Sequence, residues 1–306
     1  MIGSEDTDTA GIRLTHPDRV FYKHPRVTKR DLAEYYRAAG SSLLTHAQNR
    51  PLSLVRCPDG ISGDCFFQKH VTDGTPAEIG RVEIAEKQGG AADYPVLKGA
   101  EGLAACAQIG VLELHLWASR TDRLERPDRL VFDLDPAPEL PFAEVREAAF
   151  DMRDILDDAG LVSYALLTGG KGIHLVLPME RRLGWEAFAG FARGFASQMV
   201  RLRPMRFVDV AAREKRSGRI FIDYLRNARG NTAIAPFSPR AKPGAPVAVP
   251  VAWDQLADIE RSAAFTLADT ETVLGQAGAW RDYKTTHNRL SRKALSRLGI
   301  GRSLPG

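Results

Sequence analysis

Cysteine is scarce in this sequence, and so are long uncharged runs. The 306 residues include three cysteines, too few for a disulfide framework, so we expect a reducing compartment. No uncharged run reaches the roughly 18 residues of a membrane-spanning helix. The first ten residues are polar and acidic, and they lack the basic start and apolar run of a secretory signal peptide. These absences predict a cytoplasmic protein without a membrane partner.

A large excess of charge of one sign is also missing. Lys and Arg number 42 against 38 Asp and Glu, which gives a net charge of +4, and 44% of the residues are hydrophobic. This composition is ordinary for a globular protein and excludes bulk disorder. At about 150 residues per domain, the length fits two domains or one domain with two lobes.

The positive charge is concentrated in two segments. Residues 281–306 carry seven Lys and Arg residues against one acid, Asp282, and a second basic stretch runs from 213 to 229. Basic clusters gain affinity for phosphate backbones by releasing counterions. A solvated helical tail explains the first segment equally well. In the second stretch, Lys215 and Arg216 are candidate DNA contacts.

Strand and helix patterns alternate without a regular βαβ rhythm, which predicts an α+β fold rather than a doubly wound sheet. Residues 1–12 are predicted to be a disordered leader. A helix is predicted to start at the capping box of Thr28 and Asp31 and to end at Gly40. The other predicted elements are strands over 52–55, 65–67, 111–117, 129–135, 162–168, 173–177 and 220–225, helices over 141–158, 185–202 and from Trp253, an extended segment over 236–252, and a basic helical tail over 281–306.

Two aspartates stand two positions apart in one predicted strand. Because strand side chains alternate, Asp133 and Asp135 leave the same face, with Cα atoms about 7 Å apart. Like charges on one face repel unless a cation lies between them, and hard divalent metals prefer oxygen ligands. With Asp223 from another apolar strand, three acids could hold two metals about 4 Å apart, as in phosphoryl transfer. The alternatives are a strand end that enters solvent, and an ion pair of Asp223 with Arg226 or Arg229.

A glycine-rich turn joins the predicted strands 162–168 and 173–177. Its glycines allow backbone N–H groups to approach a phosphate, to which Thr168 and Lys171 add donors. The spacing does not match a P-loop, and no helix follows as a dinucleotide fingerprint requires. Ordinary hairpin chemistry explains the turn equally well, and a lone strand histidine such as His174 is more often structural.

Six short motifs occur in a fixed order along most of the chain. They are RPLSLVRCPDG (50–60), CFFQKH (65–70), ELHLW (113–117), DLDP (133–136), GGKGIH (169–174) and FIDYLRNARGNTAIAPFSPR (221–240). Together they resemble the polymerase domain of bacterial DNA ligase D and its stand-alone relatives in the archaeo-eukaryotic primase superfamily. The resemblance implies central, mostly antiparallel sheets flanked by helices. It also implies two closely packed lobes over residues 13–306, with the catalytic acids in the C-terminal lobe.

The same resemblance assigns roles to individual residues. It implies that Asp133, Asp135 and Asp223 are catalytic and bind two ions, with Mn²⁺ preferred over Mg²⁺. The residues expected to bind the incoming nucleotide are His115, Thr168, Gly169, Gly170, Lys171, His174, Arg226 and Arg240. The residues expected to bind DNA are Arg19 and Lys29, which match a 5′-phosphate pocket, and Phe66 and Phe67, which match an aromatic pair that stacks on the template strand.

The activity that the resemblance implies is template-directed gap filling and 3′-end extension during non-homologous end joining, with ribonucleotides preferred. The implied partners are DNA ends with a 5′-phosphate, NTP or dNTP, Ku and a DNA ligase, in the bacterial nucleoid. Thr168 stands where serine is usual, Arg19 where lysine is common, and Leu116 where proline is frequent. No KxDG ligase motif occurs, so nick sealing would belong to another polypeptide or domain.

Two other functions stay open at this point. A two-metal nuclease or phosphodiesterase would use the same acids with an activated water and no triphosphate site. A non-catalytic module would bridge DNA ends through basic surfaces around 213–219 and 281–302. A zinc site of Cys57, Cys65 and His70 is a further alternative, although its spacing fits no common zinc pattern.

Overall fold

The computed structural model describes residues 7–9, 11–86 and 88–300. The described chain divides into two compact units. Unit 1 comprises the described residues of 1–117, 234–249 and 265–277, and unit 2 comprises those of 118–233, 250–264 and 278–306. Neither unit is one continuous stretch, because the chain returns to unit 1 twice.

The described residues form sixteen strands and seven α-helices. The strands are β1 (Thr7–Thr9), β2 (Ile12–Leu14), β3 (Val20–Tyr22), β4 (Val27–Thr28), β5 (Leu52–Arg56), β6 (Phe66–Gln68), β7 (Gly80–Ala85), β8 (Ala91–Val96), β9 (Val111–Trp117), β10 (Arg129–Pro136), β11 (Tyr164–Leu167), β12 (Ile173–Pro178), β13 (Phe207–Val208), β14 (Ile220–Asp223), β15 (Thr232–Ile234) and β16 (Val249–Val251). The helices are α1 (Lys29–Ala47), α2 (Ala100–Gln108), α3 (Phe142–Asp158), α4 (Trp185–Leu202), α5 (Trp253–Leu256), α6 (Thr270–Gly275) and α7 (Arg292–Arg297).

In unit 1, strand β5 lies between β9 and β6 in an antiparallel sheet. Helix α1 begins at the predicted capping box, in which the Thr28 side chain accepts from the Asp31 N–H and Asp31 accepts from the Thr28 N–H. The helix continues past Gly40, contrary to the prediction. A Cβ at Gly40 would meet Leu103 of α2 at an ordinary 3.6 Å, and the buried Leu43 extends the apolar face. Gly40 is therefore a helix-packing position and not a terminator.

In unit 2, the strand order β13-β14-β10-β12-β11 places β10 in the middle of the sheet. All these pairings are antiparallel except that of β13 with β14. Phe132 of β10 packs against Phe195 of α4 with ring centroids 4.8 Å apart. Because Phe132 and Asp133 alternate along the strand, α4 covers the face opposite the aspartates. The apolar core thus fixes which way the carboxylates point.

The predicted strand 111–117 and helix 185–202 are found at those bounds, whereas the chain ends depart from the predictions. Thr7–Thr9 pairs with Ile12–Leu14, so this part of the expected leader is a hairpin around Gly11, whose φ of 77° suits a tight turn. Residues 1–6 and 10 lie outside the described residues. Of the predicted helical tail, Arg292–Arg297 is helical in the described part, and residues 301–306 lie outside it.

Three further expectations need correction: those for the cysteines, for the zinc site and for the helix from Trp253. Cys57 and Cys65 form a disulfide where β5 leads into β6, because the hairpin brings their Cα atoms within 4.3 Å. The disulfide uses both sulfur atoms, which removes the thiolate ligands of the alternative zinc site. The helix from Trp253 is a single turn. In the described part of the chain, no helix is long and apolar enough to span a membrane.

Candidate active site and nucleic-acid contacts

Strand β10 places Asp133 in the middle of a polar row that crosses three strands of unit 2. Asp133 is the register partner of His174 on β12 and of Asp223 on β14. Directly paired residues in antiparallel strands point to the same face, so the three side chains share one face of the sheet. Asp135 lies two positions along β10 and therefore joins that face. The structure brings the three predicted acids together from separate parts of the sequence.

Arginine side chains accompany these carboxylates. Arg226 lies with Nη2 3.4 Å from Asp133 Oδ2 and with Nε 3.0 Å from Asp223 Oδ2. Arg216 donates from Nη1 to Asp135 Oδ2 at 2.8 Å, and its guanidinium lies 4.0 Å from the centre of the Phe221 ring. The predicted pairing of Asp223 with Arg226 is therefore present together with the acid cluster. Arg229 instead pairs with Glu125 at 2.8 Å.

Burial acts against ionisation of Asp223. Burial, reinforced by the negative charge of Asp133, raises the pKa of Asp223 above its ordinary value, although Arg226 acts in the opposite direction. The Asp223 carboxylate also accepts from the Leu225 N–H at 2.9 Å. The site thus holds two closely opposed carboxylates, a situation that favours any cation placed between them.

His174 is buried beside the acids. Its Nε2 lies 3.4 Å from Asp133 Oδ1, and its side chain is 5% exposed. Its Nδ1 is buried without a hydrogen-bond partner among the described residues. A buried polar atom without a partner is costly, so this nitrogen is available to a ligand group.

The glycine turn between β11 and β12 is held by two hydroxyl groups. Thr168 Oγ1 donates to the Gly172 carbonyl at 3.0 Å, and Ser262 Oγ donates to the same carbonyl at 2.6 Å. The Thr168 N–H donates to Ser262 Oγ at 3.1 Å. The Gly170 N–H donates to Thr168 Oγ1 at 3.3 Å. Sequence reasoning missed Ser262, because no local signal connects it to a turn some ninety residues earlier.

Gly172 allows this turn to lie against the acid strand. A Cβ on Gly172 would stand 2.3 Å from the Leu134 carbonyl oxygen and 3.4 Å from Asp133 Oδ1. Glycine is required there for close approach of the two backbones. The turn is therefore adjacent to the carboxylate that sits in the middle of the polar row.

A pocket of about 450 Å³ opens beside Asp135 in unit 2. Its charged lining residues are Asp135, Glu139, Lys171, Glu214 and Arg216. Lys171 of the glycine turn reaches this pocket, as does the Arg216 guanidinium that pairs with Asp135. Lys215 is exposed nearby in sequence and stays a predicted DNA contact.

Unit 1 contains a second polar cluster, organised by a buried carboxylate. Glu113 Oε2 accepts from His115 Nε2 at 2.8 Å, and Glu113 Oε1 lies 3.1 Å from Arg240 Nε. Glu113 Oε1 also accepts from the Ala241 N–H at 2.9 Å. Burial alone would raise the pKa of Glu113, but the His115 hydrogen bond and the Arg240 charge outweigh it and hold the pKa at about 2. Glu113 joins two predicted nucleotide-binding residues, and sequence reasoning missed it.

The predicted template-stacking residues of unit 1 are exposed aromatic rings. Phe66 is 46% exposed and Phe67 is 57% exposed. The Arg56 guanidinium lies 5.3 Å from the centre of the Phe66 ring, and Phe67 contacts His115 edge-on at 5.7 Å. Exposed aromatic rings, one of them beside an arginine guanidinium, suit base stacking.

Arg19 and Lys29 lie together at the start of α1. Arg19 Nη1 donates to Asp59 Oδ1 at 2.8 Å and to the Pro58 carbonyl at 2.9 Å. Lys29 is buried, and its Nζ donates to the Thr15 carbonyl at 2.8 Å. Burial, and then the nearby Arg19 charge, lowers the pKa of Lys29 to about 8. The 5′-phosphate role of both residues stays a prediction.

The acid site has the oxygen ligands that divalent cations prefer, but in this structure arginine side chains pair with those oxygens. Carboxylate oxygens are the ligands that Mg²⁺ and Mn²⁺ prefer. Within the described residues, no group of three or more His, Cys, Asp or Glu side chains is positioned to hold a metal ion. Asp133, Asp135 and Asp223 would hold a cation only after Arg226 and Arg216 release their oxygens.

Comparison with known proteins identifies the family of this chain. The family described as LigD, primase-polymerase domain, matches residues 28–280. The multifunctional non-homologous end joining protein LigD of Pseudomonas aeruginosa is 38% identical over 305 residues, which cover 98% of this chain and 36% of that protein. The LigD protein of Mycolicibacterium smegmatis is 32% identical over 251 residues, which cover 81% of this chain and 33% of that protein. This chain thus spans about a third of the length of these relatives.

A solved structure extends the comparison to three dimensions. The polymerase domain of Mycobacterium tuberculosis ligase D, in complex with DNA, has a TM-score of 0.82 at 28% identity and covers 90% of this chain and 99% of that chain. This match confirms the predicted α+β, primase-like fold with mostly antiparallel sheets. The chain therefore belongs to the LigD primase-polymerase family, a family of nucleotidyltransferases.

Proposed function

We propose that this chain adds nucleotides to the 3′ ends of broken DNA, under the direction of a template strand, during non-homologous end joining. The observation that carries the proposal is the His174–Asp133–Asp223 row with Asp135 beside it on the same sheet face. The names of the relatives place them in end joining, and the solved relative contains DNA. The solved relative is a polymerase domain. Its name and the row of acids together favour a polymerase over a nuclease or an end-bridging module.

In this proposal the acids of unit 2 serve the chemical step. A divalent cation bound by Asp133, Asp135 and Asp223 would neutralise triphosphate charge and lower the pKa of the primer 3′-hydroxyl. In the reaction, the 3′-oxygen loses its proton and forms a bond to the α-phosphorus, while the α–β phosphoanhydride bond breaks and pyrophosphate leaves. Mn²⁺ as the preferred ion, the use of two ions and the preference for ribonucleotides are proposed from the resemblance.

The glycine turn and its neighbours bind the triphosphate. Thr168, Gly169 and Gly170 are the proposed phosphate contacts of the turn, although the Thr168 hydroxyl and the Gly170 N–H must first leave their partners inside the turn. Lys171 brings a positive charge to the pocket beside Asp135. The free Nδ1 of the buried His174 supplies one more polar contact. His115 and Arg240, which Glu113 holds, are further nucleotide contacts proposed from the resemblance, and so is Arg226.

Unit 1 binds the DNA end. Phe66 and Phe67 expose their rings for stacking on template bases, which contributes about 1–3 kcal/mol per base and tolerates any sequence. Arg19 and Lys29 provide two cationic groups for the 5′-phosphate. Lys215 and Arg216 extend the proposed DNA contacts in unit 2, and Ku and a DNA ligase are the proposed protein partners.

A gap-filling assay tests the proposal. A 5′-phosphorylated duplex with a one-nucleotide gap is incubated with Mn²⁺ and each of the four labelled nucleotides in turn. We expect extension of the primer by the nucleotide complementary to the template, and loss of extension in Asp133→Asn with DNA binding retained. Shortened primers would indicate a nuclease, and normal extension by Asp133→Asn would overturn the assignment of the acid site.

A further inference from the structure

The segment 281–300 of unit 2 is rich in exposed positive charge and follows the part of the chain that matches the family, residues 28–280. It contains six Lys and Arg residues and one acid, Asp282. All six basic side chains are exposed. They are Arg281, Lys284, Arg289, Arg292, Lys293 and Arg297.

This segment is packed onto unit 2 and is not a loose tail. Asn288 Nδ2 donates to the carbonyls of Val162 and Pro178 at 2.8 and 2.9 Å, and its Oδ1 accepts from the Val162 N–H at 2.8 Å. Further along, Leu295 and Leu298 are buried. The basic side chains are therefore presented from a fixed backbone, which lowers the entropy lost when they bind a partner.

Helix α7 has a buried apolar face and an exposed basic face. Ala294 and Leu295 are buried, while Arg292, Lys293 and Arg297 are exposed. Within the described residues, none of these three cations has an ion pair with a carboxylate. Arg297 donates to the carbonyl of Asp158 at 2.8 Å.

Among the described residues, the acids at the end of α3 form no ion pair with the basic side chains of α7. Arg153 pairs with Asp154 at 2.7 Å and with Asp157 at 3.9 Å. The positive charge of α7 therefore stays available to an external partner.

We propose that the exposed face of α7, with the basic residues before it, binds the phosphate backbone of duplex DNA. The exposed residues of the helix are three cations and Ser296, without the exposed apolar side chains that insertion into a membrane surface requires. A duplex carries one charge per about 1.7 Å of its axis, so a helix of six residues, about 9 Å long, faces several phosphates.

This surface is separate from the acid site within unit 2. Asn288 donates a hydrogen bond to the carbonyl of Pro178 on β12. Pro178 is the register partner of Arg129, whereas the register partner of Asp133 is His174. His174 and Pro178 are four positions apart, about 13 Å along β12. The surface should therefore strengthen binding to duplex without taking part in nucleotide transfer.

The test compares two charge-matched triple variants of the full chain. R292Q/K293Q/R297Q neutralises α7, and R37Q/K98Q/R123Q removes three exposed charges elsewhere. Binding of a labelled blunt duplex is followed by fluorescence anisotropy between 50 and 200 mM salt, with no nucleotide or metal present. Thermal melting checks that each variant folds. If the α7 variant does not fold, K284Q/R289Q tests the part of the segment that precedes the helix.

We expect the α7 variant to bind roughly tenfold or more weakly at 100 mM salt, with the slope of log K against log salt reduced by about 2 to 3. The matched control should keep most of its affinity. Equal losses in both variants would show that net charge alone governs binding and would overturn the proposal, as would an unchanged α7 variant. Because the assay contains no nucleotide, it is independent of whether the chain is a polymerase.

Discussion

Asp133 and Asp223 face each other directly across strands β10 and β14, and the Arg226 guanidinium lies within 3.4 Å of the first carboxylate and 3.0 Å of the second. Two carboxylates placed opposite each other on one sheet face repel. The fold retains the pair because a cation accompanies it. This relationship connects the packing of the sheet to its proposed chemistry.

Removal of the Asp223 charge should therefore have opposite effects on the stability of the fold and on nucleotide addition. Asp223→Asn removes the like charge opposite Asp133 while keeping the size of the side chain. We expect it to raise stability by about 1 kcal/mol, or about 2 °C in melting temperature, and to abolish nucleotide addition. Asp135→Asn is the control, because that carboxylate is 55% exposed and should change stability little. A lowered melting temperature in Asp223→Asn would show that its charge stabilises the fold.

The glycine turn should tolerate no side chain at Gly172. A Cβ there would stand 2.3 Å from the Leu134 carbonyl, so Gly172→Ala must displace either the turn or β10. We expect a loss of about 2–3 kcal/mol in unfolding free energy, measured by urea denaturation, together with a large loss of nucleotide addition. Gly74→Ala is the matched control, because nothing lies within 4 Å of its Cβ position. Wild-type stability in Gly172→Ala would contradict the close approach.

Glu113 should act as a positioning residue for His115 and Arg240. Glu113→Gln keeps the shape but removes the charge that pairs with Arg240 Nε at 3.1 Å. We expect the KM for the nucleotide to rise about tenfold, a loss of about 1.4 kcal/mol, with kcat nearly unchanged. Glu86→Gln is a control on a half-buried carboxylate that also contacts a histidine, His70, at 3.1 Å. A fall in kcat with unchanged KM would contradict the role in nucleotide binding.

Recognition of the 5′-phosphate should weaken as the pH rises through 8. The Lys29 pKa of about 8 means that Lys29 is mostly charged at pH 7 and mostly neutral at pH 9. The 5′-phosphate is already a dianion in this range, since its second pKa is about 6. The ratio of Kd values for DNA without and with a 5′-phosphate should fall several-fold between pH 7 and 9. In Lys29→Arg the ratio should be constant, and a falling ratio there would assign the effect to another group.

The disulfide should stabilise the β5–β6 hairpin, which carries Phe66 and Phe67. Closing a loop between residues eight apart is worth about 2–3 kcal/mol in the chain-entropy account. Addition of dithiothreitol should lower the melting temperature of the wild type. The Cys57→Ser/Cys65→Ser variant should melt at the lower temperature with or without reductant. Equal melting of the oxidised and reduced wild type would show that the disulfide contributes nothing.

Local patterns in the sequence predicted the elements that position the site. The helix over 185–202 has a continuous apolar face, and the spacing of Asp133 and Asp135 places both on one strand face. Gly40 misled the prediction because a glycine in a close helix contact looks in sequence like a helix end.

Contacts between residues far apart in sequence could not be predicted in the same way. The Asp133–Asp223 pairing depends on the strand order of unit 2, which no local pattern encodes. Glu113 lies in an apolar strand, and its partner Arg240 joins it only through the fold. Ser262 holds the glycine turn from a distant segment for the same reason.

The most direct test of the central claim is the binding of Mn²⁺ to the chain alone, followed by electron paramagnetic resonance without DNA or nucleotide. We predict that the wild type binds Mn²⁺ and that Asp133→Asn, Asp135→Asn and Asp223→Asn each weaken this binding at least tenfold. Mn²⁺ binding that is the same in all four proteins would contradict the claim that these three carboxylates form one cation site.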